Sequence, residues 1–213
     1  IQRFCFLPAF RDLNELVGLY ILKYLIMPIG KILTQPAELN FNLVWSKVPM
    51  SVKGAFVEHN PRKVKLPKGF QLYKYTEFTS LVSPGNGKIS EWWSPVNFYG
   101  MDPGLDSRKS LARRLGVSVS ALTRVMSAVN ENWNGLKYQV KTELNKPVYA
   151  FWGQCKMQNR RDNKNTRAIE TGKARTDMKP VTTEKLPGYG WQFYIPNLRI
   201  EHIKVIGSPE RDF

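Results

Sequence analysis

The sequence has 213 residues, of which 42% are hydrophobic and 23% are charged, a composition that excludes wholesale disorder, collagen-like repeats and a polytopic membrane protein. A chain of this length buries a core without metal or disulfide staples. Its 32 Lys plus Arg against 17 Asp plus Glu leave a formal charge of +15, which indicates an acidic partner or serves solubility alone.

Residues 1–48 are predicted to form a helical N-terminal arm and linker ahead of a main domain at 49–213. The stretch Leu13–Leu33 is apolar on almost every side, but two lysines and Pro28 interrupt it. Its charge-free stretches fall well short of the roughly 18 to 20 residues that a membrane-spanning helix needs. We therefore expect a buried helix ending near Pro28 and no stable membrane insertion, with a membrane-touching segment as the alternative.

Extended segments are predicted over the next part of the chain. Residues 34–68 contain four prolines, which restrict the preceding residue to extended conformations, so a connecting wrap with short strands at Phe41–Trp45 and Ala55–Glu58 is expected. The stretch Gly69–Glu77 alternates apolar and polar positions and predicts a strand. A short extended run follows at Trp92–Trp93.

The stretch Asp106–Trp133 carries the clearest helical pattern, with a capping residue at its start and apolar side chains at helical spacing. Gly116 interrupts the pattern, which leaves two helices or one bent helix open. Strands are predicted at Tyr138–Thr142 and Val148–Trp152.

A basic stretch follows these strands. Residues 156–179 hold eight basic and three acidic side chains, a net charge of +5, with hardly any apolar residues. Such a segment cannot contribute to a core, so a long solvated loop is expected over 153–181. The chain then returns to predicted strands at Trp191–Pro196 and Ile200–Ile206.

The two cysteines and two histidines build no zinc site and no disulfide framework. Cys5 and Cys155 are predicted as free thiols, with a single bridge as the alternative. The sequence also lacks a phosphate-binding P-loop, a nucleophile elbow, a glycine-rich dinucleotide fingerprint and the His-Glu-x-x-His zinc motif.

A helix-turn-helix pattern spans Ser110–Arg124 and supports one functional hypothesis, a nucleic-acid-binding protein that uses residues 107–130. Gly116 takes the place of the turn glycine between two apolar stretches. The side chains that would face the groove are Ser118, Ser120, Thr123 and Arg124, and those that would contact phosphates are Arg108, Lys109, Arg113 and Arg114. A bent amphipathic helix over a sheet produces the same spacing.

A second pattern consists of short motifs in a fixed order along the chain. A basic residue flanked by aromatics comes first, then a hydroxyl after two tryptophans, and finally two strands near the C-terminus. The motifs are Leu72–Tyr75, Trp92–Val96, Lys146–Gly153, Gly190–Asn197 and Leu198–Ile206.

In this order the motifs resemble those of the mono-ADP-ribosyltransferase superfamily, and Leu-Tyr-Lys-Tyr is most similar to the first strand of its pertussis-toxin-like members. The resemblance implies an α+β fold with a split two-sheet core. It also implies that NAD is the substrate and that ADP-ribose is transferred to a macromolecular acceptor, an acidic protein surface or a nucleic acid. A bacterial toxin or effector is implied as well, secreted or delivered into a target cell, with an immunity or carrier protein as partner.

The resemblance also assigns roles to individual residues. Gln192, Lys74 and Ser94 take the catalytic positions, and the loop ahead of the catalytic strand selects the target. The residues assigned to NAD are Tyr73, Lys74, Trp92, Trp93 and Ser94, and those assigned to target recognition are Arg160, Arg161, Lys164, Arg167 and Trp191. For each aromatic residue, core packing is the alternative.

Two positions depart from the family pattern. Lys74 replaces an arginine and offers a point charge without the planar fork. Gln192 replaces a glutamate, so it keeps a hydrogen bond but loses the negative charge that stabilises the cationic transition state. An inactivating substitution in a toxic protein, a natural binding-only relative and an incorrect alignment all explain Gln192, and the intact pattern of the strand favours the first.

Overall fold

The computed structural model describes residues 38–59, 61–81, 89–163 and 178–211. The chain divides into two compact units, 1–37 and 38–213, and the first lies outside the described residues together with Cys5 and the predicted helix near Pro28. Within the described ranges, no helix is long and apolar enough to cross a membrane. Residues 38–48, predicted as part of the linker, belong to the second unit because Leu39 bridges to Val148 and Val48 is buried.

The described part of the chain contains short helices and nine strands. In chain order they are a 3-10 helix (Trp45–Lys47), α1 (Met50–Lys53), β1 (Arg62–Leu66), β2 (Gln71–Thr76), β3 (Trp92–Pro95), α2 (Leu105–Leu115), α3 (Val119–Met126), β4 (Tyr138–Leu144), β5 (Val148–Gln154), β6 (Gln158–Asn159), β7 (Lys185–Leu186), β8 (Trp191–Tyr194), a second 3-10 helix (Ile200–His202) and β9 (Ile203–Arg211).

A seven-stranded sheet of order β1-β5-β8-β3-β2-β4-β9 forms the frame of the molecule. All of its strand pairs are antiparallel, and β6 and β7 form a separate two-stranded ribbon. The helices α2 and α3 follow each other directly instead of alternating with strands, which defines an α+β fold. The predicted fold class is therefore confirmed at this level.

Strand β3 joins the two halves of the sheet. Its first residues, Trp92 and Trp93, pair with β8, whereas its last residues, Ser94 and Pro95, pair with β2. The pairing of β2 with β3 ends where Tyr73 lies opposite Ser94. The strands β3 and β2 are thus connected over only two residue pairs in the middle of the sheet.

Successive side chains of a strand point to opposite faces of the sheet. Buried residues pack on both of these faces. On one face Leu72, Trp93 and Phe193 belong to the largest buried cluster. On the other face Tyr73 and Tyr75 pack with Leu105, the first residue of α2.

The structure decides between the two helical alternatives that the sequence left open. Helix α2 ends at Gly116, whose φ of 65° is left-handed, and α3 begins after Ser118, whose hydroxyl accepts a hydrogen bond from the Ala121 N–H. The predicted strands at Gly69–Glu77 and Trp191–Pro196 are confirmed as β2 and β8.

Two short strand predictions are wrong. Phe41–Trp45 forms turns that lead into the first 3-10 helix. Ala55–Glu58 contributes a single bridge between Phe56 and Cys155. Both segments pack their aromatic residues against β5 without continuous strand pairing, which a local apolar pattern cannot distinguish from a true strand.

Candidate functional site

A cavity of about 500 Å³ opens beside the junction of β2, β3 and β8. This volume lies within the range of pockets that hold cofactors and other small molecules. Its walls come from these strands, from the segment 50–55 around α1, and from the loop that joins α3 to β4. The residues that line the cavity include Tyr73, Lys74, Trp92, Trp93, Ser94, Thr123, Trp133, Asn134, Lys156 and Gln192.

Three polar positions line up across the central strands. Tyr73 lies directly opposite Ser94, and continuation of the β3–β8 register from Trp93 and Phe193 places Ser94 beside Gln192. Residues directly opposite in antiparallel strands present their side chains on the same face. The structure therefore brings a phenol, a hydroxyl and an amide from three separate strands to one cavity wall.

The central groups of this wall are largely excluded from water. Ser94 is 7% exposed and Gln192 is 9% exposed. Burial raises the pKa of Tyr73 to about 12, so its phenol stays protonated at neutral pH. In such surroundings a hydrogen bond to a ligand is stronger than in water, because the local dielectric is low.

Lys74 lies one position beyond the last β2–β3 pair, where the two strands part. Its ammonium nitrogen is 5.6 Å from the centre of the Trp93 ring, within cation–π range. The Trp93 indole N–H donates to the Ser90 carbonyl at 2.7 Å, which fixes the ring under the lysine. The structure thus positions one cationic group at the edge of the cavity.

Trp92 and Trp93 have different environments. Trp93 is only 1% exposed and belongs to the main core. Trp92 is partly buried and contacts Phe56 and Tyr194, with ring centroids 5.3 and 5.1 Å away. Both residues line the cavity, and both rings also pack in the core.

A buried ion pair lies behind this wall. Arg108 on α2 pairs with Asp102, and both side chains are 1% exposed. The prediction that Arg108 contacts nucleic-acid phosphates is therefore wrong, because its guanidinium is enclosed and neutralised. Asp102 also accepts a hydrogen bond from the Gly104 N–H at 2.9 Å, just before α2 begins.

The helix-turn-helix hypothesis assigned Arg124 and Thr123 to a nucleic-acid groove. The Arg124 guanidinium instead donates to the carbonyls of Val129 and Asn134, at 2.9 and 3.0 Å, within the loop that leads to β4. Thr123 is 6% exposed and lines the cavity. Thr123 is therefore part of the cavity wall, and Arg124 supports the loop that lines the cavity; the two side chains do not form an outer recognition face.

The residues predicted to recognise a target are scattered. Trp191 stacks on Trp152, with centroids 5.5 Å apart, and does not line the cavity. Arg160 pairs with Glu131 and Glu184, and Arg161 pairs with Glu131. Lys164 and Arg167 lie outside the described residues.

Two parts of the site were not predicted from the sequence. The loop 127–136 supplies Trp133 and Asn134, and the run of asparagines from Asn130 to Asn134 is a turn signal that marks its position. Lys156, two residues after the end of β5, was predicted to lie in the solvated basic stretch, although it lines the cavity. Across the described ranges, no group of three His, Cys, Asp or Glu side chains could hold a metal ion.

No protein-family model matches the chain, and no curated protein matches it. Among solved structures, Tne2 in complex with Tni2 matches with a TM-score of 0.39 and 11% sequence identity, over 74% of this chain and 97% of that chain. A TM-score of this size does not define a shared fold.

Proposed function

We propose that the cavity binds NAD and that the chain transfers ADP-ribose from NAD to a macromolecular acceptor. The single observation that carries this proposal is the convergence of Lys74, Ser94 and Gln192 on one cavity. These residues are far apart in the chain and take the positions that the resemblance to mono-ADP-ribosyltransferases assigns to catalysis. The proposal includes the split two-sheet core of that superfamily, and the change of partner along β3 supports it.

The chemistry of each group suits one part of the dinucleotide. The Lys74 ammonium binds a diphosphate oxygen as a point charge. The Ser94 hydroxyl and the Gln192 amide hydrogen-bond the nicotinamide ribose from the same wall. Trp92 contributes a flat apolar surface next to them, suited to stacking on a ring.

In the proposed reaction, the bond between ribose C1′ and the nicotinamide nitrogen breaks, and its electron pair leaves with nicotinamide. A nucleophile of the acceptor bonds to C1′ and releases its proton to solvent. The transition state carries positive charge on the ribose, which a neutral Gln192 stabilises only through its dipole. No carboxylate is present among the described residues that line the cavity, so we expect slow turnover.

The biological setting of the proposal comes from the resemblance alone. The resemblance implies that the protein is a bacterial toxin or effector that is secreted or delivered into a target cell. Its implied partner is an immunity or carrier protein. The net charge of +15 is compatible with an acidic partner of either kind.

The decisive experiment compares the parent chain with Gln192→Glu and Gln192→Ala. We expect Gln192→Glu to raise nicotinamide release from NAD by about 10²-fold, because it restores a preorganised charge at the ribose. Gln192→Ala should lower release below the parent level, since the hydrogen bond is also lost. Release is measured with nicotinamide-labelled NAD, and the fold of each variant is checked by circular dichroism.

Gln154→Glu is the matched control, because it adds the same charge on β5 to a residue that does not line the cavity. It should behave like the parent. A folded Gln192→Glu variant that neither binds NAD nor exceeds Gln154→Glu in nicotinamide release contradicts the proposal.

A further inference from the structure

Two lysines line the cavity, Lys74 on β2 and Lys156 two residues after the end of β5. No carboxylate lines it within the described ranges, so an anionic ligand meets attraction at both positions. The proposed function uses only Lys74. Lys156 is therefore a second cationic group of the cavity that has no assigned partner in the reaction.

The strand order separates the two lysines. Strands β2, β3, β8 and β5 lie side by side, so β2 and β5 are three strand spacings apart, about 14 Å at roughly 4.8 Å each. The two phosphorus atoms of a diphosphate share one bridging oxygen and are much closer together than this. Gln192 on β8 lies between the two positions, so Lys74 and Lys156 flank the proposed reaction centre on opposite sides.

The contacts of Lys156 hold its backbone in place and leave its side chain available. The Lys156 N–H donates to the Ala55 carbonyl at 2.9 Å, and the preceding Cys155 is buried. The ammonium lies 3.4 Å from a Glu58 carboxylate oxygen, with the two side chains 46% and 79% exposed. An ion pair this exposed is weak, so a phosphate can replace Glu58 at little cost.

We infer that Lys156 forms an anion subsite on the acceptor side of the cavity, and that the acceptor is a single-stranded nucleic acid whose phosphate Lys156 binds. The inference rests on the proposed function, which places the donor diphosphate at Lys74. Trp133 lines the same cavity and provides a flat surface for a base, whereas an acidic peptide offers charge without a ring. The net charge of +15 attracts a polyanion of this kind.

The test measures binding of a fluorescein-labelled octathymidylate by fluorescence anisotropy at several salt concentrations. We expect Lys156→Ala to weaken binding about tenfold, the effect of one charge-assisted hydrogen bond, and to reduce the salt slope by about one phosphate contact. Lys204→Ala is the matched control, since Lys204 is exposed on β9 at the far edge of the sheet and its loss changes the net charge equally. It should weaken binding much less. Glu58→Gln should strengthen binding, because it removes the competing carboxylate.

One further measurement separates this inference from the proposed function. Saturating NAD should leave octathymidylate binding intact. Equal losses for Lys156→Ala and Lys204→Ala, competition by NAD, or tighter Lys156-dependent binding of an octaglutamate peptide overturns the inference. If NAD neither binds nor reacts while the Lys156 dependence persists, the proposed function fails and the acceptor-side assignment fails with it, leaving a nucleic-acid-binding cavity.

Discussion

Arg108 and Asp102 are the charged residues most completely removed from water among those described, at 1% exposure each. Burial of a guanidinium disfavours its charged form, yet the pKa of Arg108 is raised because the neighbouring Tyr73 and Asp102 outweigh this effect. The pair connects the first turns of α2 to the loop just before that helix, and both charges lie close to Tyr73 on the strand that carries Lys74. A single residue here therefore influences both the fold and the cavity wall.

The variant Asp102→Asn tests how much this ion pair contributes to the free energy of unfolding. The amide oxygen can still accept from the Gly104 N–H, but Arg108 becomes a buried charge without a counterion. We expect a loss of about 3–5 kcal/mol in the free energy of unfolding, measured by urea denaturation. The double variant Asp102→Leu with Arg108→Met removes both charges and should recover most of the loss. A single variant as stable as the parent would show that the pair is not the relevant contact.

Tyr73, Lys74 and Gln192 illustrate what individual side chains reveal before the fold is known. Each was identified by its local motif, and the structure brings all three to one cavity. Trp191 was identified in the same way, but it is next to Gln192 in a strand and points to the opposite face, where it stacks on Trp152. Alternation removes Trp191 from the cavity, whereas Lys74, which is next to Tyr73, still lines it because β2 and β3 part at that position.

Helix α3 and the loop that follows it act together as a wall of the cavity. Arg124 near the C-terminal end of α3 donates to Val129 and Asn134 across the loop, and Asn134 in turn donates to the Tyr75 carbonyl of β2 at 3.4 Å. The loop contains left-handed residues at Ala128 and Leu136, with φ of 50° and 52°. Such backbone conformations persist only when side-chain contacts hold them.

Arg124→Ala removes two of the hydrogen bonds that hold this loop. We expect NAD affinity to fall about tenfold, because the wall that carries Trp133 and Asn134 loses its support. Isothermal titration calorimetry measures this directly, and Arg113→Ala, on the exposed surface of α2, provides a control of equal charge. Under the helix-turn-helix hypothesis, Arg124→Ala would instead weaken duplex DNA binding and leave NAD binding unchanged.

Glu131 links parts of the chain that are remote in sequence. It pairs with Arg160, Arg161 and Lys179, which lie beyond β6 near the two ends of the basic stretch. Asn132, next to it, donates to the carbonyls of Asp162 and Lys179, at 2.9 Å each. The ion pairs of Glu131 and the hydrogen bonds of Asn132 therefore connect the cavity-lining loop to the residues at both ends of 163–178.

This cluster predicts how stability depends on pH. Burial of Glu131 favours its neutral form, but hydrogen bonds from Arg160 and Lys179 outweigh burial and lower the pKa from 4.5 to about 2. A folded-state pKa below the unfolded value stabilises the folded chain fully above about pH 4.5, and this contribution is lost as the pH falls towards 2. Glu131→Gln should therefore lower the urea midpoint at pH 7 and flatten its dependence on pH in this range.

Glu201→Gln, at an exposed acid outside the cluster, should leave both the urea midpoint and its pH profile close to those of the parent. A Glu131→Gln variant with an unchanged acid limb would show that these ion pairs contribute nothing measurable. Exposed ion pairs often contribute little to stability, whereas the Glu131 side chain is 11% exposed and has three partners.

Local pattern in the chain was sufficient for the strands β2 and β8 and for the break at Gly116, and motif order was sufficient to group Lys74, Ser94 and Gln192, which line one cavity. These depend on alternation, turn residues and motif order, which are properties of short segments. The roles of Arg108, Arg124 and Lys156 were decided only by the assembled fold. Their side chains are long and charged, and whether such a group meets solvent, a buried partner or a cavity depends on segments far away in the sequence.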